Sequence, residues 1–91
     1  MKFRITRHAG YAAPEDALEL LSQRLGPRRN QVSFNMVGTE IRARWMDETW
    51  DSRTVEERAE IGRLEILEIL RGVCERAPGL DMNWFAVSAQ S

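Results

Sequence analysis

The chain has little of what usually announces a function. It carries one cysteine (Cys74), one histidine (His8), one tyrosine (Tyr11) and one lysine (Lys2). A lone cysteine excludes an internal disulfide and any two-cysteine metal or redox motif. Six glycines are scattered singly, so no glycine-rich run exists to cradle a phosphate. The longest apolar run is Trp84-Phe85-Ala86-Val87, far short of the roughly 20 residues that span a bilayer. Met1 to Arg7 has no apolar stretch, so no secretory leader and a cytoplasmic location are expected. The formal net charge is −1, so the molecule as a whole offers no electrostatic argument for nucleic acid.

What is present is the material of one small folded domain. The 91 residues are 43% apolar and 30% charged, too apolar for disorder and too few for two cores. A single domain over residues 1–91 is expected. Charge is distributed unevenly. Residues 1–46 hold eight Lys/Arg and four Asp/Glu, whereas residues 47–91 hold five and ten.

The hydrophobic rhythm is the clearest signal. Met1, Phe3 and Ile5 alternate with Lys2, Arg4 and Thr6, the pattern of a half-buried strand. Pro14 opens a predicted helix whose first turn holds Glu15 and Asp16, and Ala17, Leu18, Leu20, Leu21 and Leu25 share one face before Gly26-Pro27 stops it. Val32, Phe34 and Met36 then alternate with polar residues. Gly38-Thr39 makes a tight turn, and Ile41, Ala43 and Trp45 alternate again, which predicts a hairpin. Thr54 and Glu57 have the spacing of a capping box at the start of a helix of about six turns. Its predicted buried arc is Val55, Ala59, Gly62, Ile66, Leu67, Ile69, Leu70, Val73, Cys74 and Ala77, with Ile61 and Leu64 outside it. A last strand is expected from about Met82 to Ala89, with the facing of Trp84 and Phe85 open because both are large and adjacent.

Strand-helix-strand twice over predicts an α+β sandwich that resembles the ferredoxin-like βαββαβ arrangement: a four-stranded antiparallel sheet of order 4-1-3-2 with two helices on one face. Two amphipathic helices need an apolar surface, and the inward residues of four strands supply it. The first and third strands are then central, and Lys2, Arg4, Arg42 and Arg44 project together from the uncovered face with Glu40, His8 and Thr6 nearby. Gln31, Ser33 and Asn35 flank them.

That cationic, polar face is the candidate site, and three function classes compete for it. The first is a non-catalytic binding or assembly module whose partner is another protein or a second copy, docked through the sheet face or an edge strand. The second is an enzyme or small-ligand protein of the dimeric α/β-barrel type, with His8, Tyr11 and Arg42 around a cleft and Glu40 holding the imidazole. The third is a nucleic-acid binder, which is not favoured because Phe3 and Trp45 point inward and no ring is left on the central strands for bases to stack on. A dry homodimer through the face would bury too much charge. No cofactor, metal or membrane partner is expected. Asp47, Glu48 and Asp51 match no calcium-loop spacing, Cys74 reads as an inert core residue, and Gly62 reads as a point where the long helix comes close to the sheet.

Overall fold

The computed structural model describes residues 1–26, 32–45 and 53–90. Strand β1 spans Lys2–Arg7, helix α1 Ala17–Leu25, strand β2 Val32–Val37, strand β3 Glu40–Trp45, helix α2 Val55–Arg76 and strand β4 Phe85–Gln90, with a 3-10 turn at Met82–Trp84. Asp47, Glu48 and Asp51, together with Pro27 and Gln31, lie outside the described residues.

The four strands form one antiparallel sheet of order β2-β3-β1-β4. Beta-branched and aromatic residues alternate with polar ones in β1, β2 and β3, which suits a sheet wet on one side. The β2–β3 connection is the two-residue turn Gly38-Thr39 between paired Val37 and Glu40. Gly38 has φ +61°, where a side chain would be strained, and this positive φ at the first turn position is the hairpin geometry that follows the sheet's own twist.

One side of the sheet is dry. Phe3, Ile5, Val32, Ile41, Ala43, Trp45 and Phe85 join Leu18, Leu21 and Leu25 of α1 and Ile66, Ile69, Leu70 and Val73 of α2 in a single core. Gly62 is the place where α2 meets the sheet: a Cβ there would lie 2.7 Å from Cε2 and 3.1 Å from Cε1 of Phe3. At its N-terminus α2 is capped as the sequence predicts, the Glu57 amide donating to the Thr54 hydroxyl at 3.2 Å.

Five sequence expectations need correction. Helix α1 begins at Ala17, not Pro14. The chain first makes a turn in which the Ala17 amide donates to the Pro14 carbonyl, and the first helical bond runs from Leu20 N to Asp16 O. Leu20 is exposed rather than on the buried face, because at about 100° per residue it falls away from the arc of Leu18, Leu21 and Leu25. Val55 is 63% exposed, because it lies in the first turn of α2 and complete burial begins only at Gly62. Cys74 is half-buried rather than enclosed. Finally, β4 starts at Phe85. Asp81 accepts a hydrogen bond from Asn83 N at 2.9 Å and winds Met82–Trp84 into the 3-10 turn, so Phe85 faces the core and Trp84 packs against the core from outside the strand. No described helix is long and apolar enough to cross a membrane.

Candidate functional site

The uncovered side of the sheet is built by register. Lys2 pairs with Arg44 and Arg4 with Arg42 across β1 and β3. On the flanks, Ser33 pairs with Arg44 and Asn35 with Arg42 on β2, while Gln90 pairs with Lys2 and Ser88 with Arg4 on β4. Residues directly opposite in a sheet point to the same side. The face therefore carries two cross-strand rows, Ser33-Arg44-Lys2-Gln90 and Asn35-Arg42-Arg4-Ser88. A third row, more loosely, holds Val37, Glu40, Thr6 and Ala86. Each row is about two residues, or roughly 6.7 Å, from the next, and neighbouring strands are about 4.8 Å apart.

Among the described residues, four cations on this face meet one carboxylate. Glu40, only 18% exposed, sits between two arginines: Arg42 Nε donates to its Oε1 at 2.9 Å, and Arg4 Nε lies 2.7 Å from its Oε2. The second contact is an ion pair by distance only, because the Arg4 Nε–H is not aimed at that oxygen and makes no hydrogen bond. Both arginines remain partly solvated, at 42% and 57% side-chain exposure, so the pairs add little to the stability of the fold. Among the described residues no carboxylate pairs with Lys2 or Arg44. Like charges directly opposite destabilise a sheet, so among the described residues this row is an unneutralised positive end of the face. Two open grooves cross it. One, of about 290 Å³, is lined by Lys2, Ser33, Asn35, Arg42 and Arg44. The other, of about 190 Å³, is lined by Lys2, Arg4, Arg42 and Gln90.

The structure thus brings Lys2, Arg4, Glu40, Arg42 and Arg44 together and leaves His8 apart from them. The sequence expectation of a Glu40–His8 pair fails because Glu40 is taken by Arg4 and Arg42. His8 Nδ1 instead accepts from Gly10 N at 3.2 Å, its ring meets Tyr11 edge-on at 5.2 Å, and its amide bonds the Trp84 carbonyl. This small loop is tied down by Arg7, whose guanidinium donates to the carbonyls of Ala13 and Pro14 at 3.4 and 3.1 Å. Arg42, the third member of the cleft expected for an enzyme, is engaged with Glu40 on the sheet face.

Two features were not singled out from sequence. The partners of the cation rows on β4, Ser88 and Gln90, could not be placed while the facing of Trp84 and Phe85 was open. The Asp81-x-Asn83 spacing after Gly79, a common local turn signal, would have settled it. A larger groove, about 510 Å³, lies at the other end of the sheet among Arg7, Glu15, Glu19, Met36 and Glu40. It joins α1 to the hairpin turn, a juxtaposition that no local pattern encodes.

Neither a family model, a curated protein nor a solved structure matches this chain.

Proposed function

We propose that the protein is a small cytoplasmic, non-catalytic binding module of the ferredoxin-like kind, whose open sheet face docks an acidic surface of another protein. The sheet order β2-β3-β1-β4, counted from the other edge, runs 4-1-3-2, which supports that arrangement. The observation that carries the functional reading is the Lys2/Arg44 row. Two cations are held directly opposite each other on rigid central strands, flanked by the hydroxyl of Ser33 and the amide of Gln90, and no carboxylate of the described residues offsets them. A fold tolerates such repulsion most readily when something outside neutralises it. A partner carboxylate entering here gains charge-assisted hydrogen bonds from donors already fixed in place. A protein partner is favoured over nucleic acid because the rings of Phe3, Trp45 and Phe85 are buried and Trp84 packs against the core, which leaves the central strands no ring on which to stack bases.

The test is titration of a fluorescent glutamate-rich peptide and, separately, a single-stranded oligonucleotide of equal charge, into wild type and into the Arg42→Glu, Arg44→Glu double variant. The proposal expects peptide binding at about 50 mM salt that weakens steeply by 200 mM and is lost in the double variant. Unchanged peptide binding in that variant would remove the proposal, and an oligonucleotide held much more tightly than the peptide would move the reading to nucleic acid.

A further inference from the structure

We infer that β2 is a self-pairing edge, through which two copies of this chain join their sheets about a two-fold axis into one continuous eight-stranded sheet. The inference goes beyond the reading of the cationic face and does not depend on it. It starts from where the sheet keeps its charges. The central strands hold all of them: Lys2, Arg4 and Arg7 on β1, and Glu40, Arg42 and Arg44 on β3. Neither edge strand, β2 (VSFNMV) or β4 (FAVSAQ), has a charged residue or a proline. Edge strands expose a row of unpaired N–H and C=O groups, and proteins that stay monomeric commonly guard them with lysine, proline or a bulge. Here β2 pairs residue for residue with β3 from Val32 to Val37 with no bulge, and among the described residues no strand pairs with its outer edge.

Charge selects both the route and the occupant. Two copies cannot pack face to face, since stacked sheets lie about 10 Å apart and four cations would meet four. Side by side through β2, the nearest charged strands are β3 of each copy, separated by three strand spacings, about 14 Å. That exceeds the Debye length of about 8 Å at physiological salt, so the repulsion is screened. A strand with no charge of its own pairs with itself without needing a complementary partner, as a two-fold interface requires. Of the two edges, β2 has the larger incentive. Phe34 and Met36 are half-buried on its core side and Val37 is 38% exposed, whereas the matching positions of β4 end in Ala89. A register centred on Asn35 sets Phe34 against Met36 across the axis, with both side chains on the dry side of the joined sheet.

The experiment is sedimentation equilibrium of the whole chain from 1 to 200 µM, at 50 and 500 mM salt. The expected result is a dimer that holds or tightens at high salt, because only screened like-charge repulsion opposes it. Asn35→Lys puts like charges opposite each other at the axis on an exposed position that the fold does not need, and is expected to weaken the dimer by at least tenfold with an unchanged circular dichroism spectrum. Ser88→Lys, the matching change on β4, is expected to leave it intact. A monomer over the whole range would overturn the inference, as would equal sensitivity to the two lysines or a greater sensitivity to Ser88→Lys. Peptide binding to the open face is read separately, so a monomer that still binds the acidic peptide would refute only the edge pairing.

Discussion

Substituting Gly62 with alanine should destabilise the protein, although the same change in an unobstructed helix stabilises it. Gly62 lies in the third turn of α2, directly over Phe3. An added Cβ would come within 2.7 Å of one ring carbon and 3.1 Å of another, closer than packed carbon atoms sit. The ring cannot swing aside, because Phe3 is fully buried and β1 is hydrogen-bonded on both edges, to β3 and to β4. Overpacking of this kind costs about 1–3 kcal/mol, and the obstruction here places it at the upper end. The gain in helix propensity returns about 1 kcal/mol. The net loss is then about 2 kcal/mol, or roughly 8–16 °C in Tm for a domain of this size. Gly72, in the same helix, has no described atom beyond its chain neighbours and its own helix backbone within 4 Å of its would-be Cβ, so Gly72→Ala should raise stability by about 1 kcal/mol. Urea unfolding followed by circular dichroism measures both. In a Phe3→Leu background the Gly62→Ala penalty should shrink by at least about 1 kcal/mol, the signature of direct contact. A Gly62→Ala protein as stable as the Gly72→Ala one would refute the close approach of α2 to β1, and with it the assignment of which side of the sheet is dry.

Other outcomes follow from the same geometry. Thr54→Ala should cost about 1 kcal/mol by removing the hydroxyl that accepts the Glu57 amide, read by urea unfolding, whereas Thr54→Ser should cost little. Glu40→Gln should change stability by under about 1 kcal/mol, since its arginine partners are partly solvated, yet tighten binding of the acidic peptide by removing the one carboxylate that the described residues place on the face. The Cys74 thiol is pushed above its ordinary pKa by burial and, secondarily, by the nearby Asp81 carboxylate. It should therefore alkylate more slowly at pH 8 than a free thiol, recover in urea, and speed up in Asp81→Asn.

Much of the fold was legible because one period governs each element. Alternation in Lys2–Arg7, Val32–Val37 and Glu40–Trp45 marked both the strands and their wet side, and so assembled Lys2, Arg4, Arg42 and Arg44 before any coordinates. Legibility failed where a local competitor interrupted the period. Pro14, Glu15 and Asp16 have the chemistry of a helix start, but the chain spends them on a turn before α1 begins. Asp81 bends Met82–Trp84 out of the strand rhythm, which made the two adjacent aromatics ambiguous. Glu40 could be placed beside the cations but not between them, because which of several neighbours a carboxylate chooses is decided by side-chain reach rather than by spacing along the chain.

The most direct check of the cationic face is an amide chemical-shift map of the labelled protein titrated with the glutamate-rich peptide. The account predicts that the largest shifts fall on Lys2, Arg4, Arg42, Arg44, Ser33 and Gln90, with α2 little affected. Shifts concentrated on the helices, or spread evenly over both sides of the sheet, would contradict it.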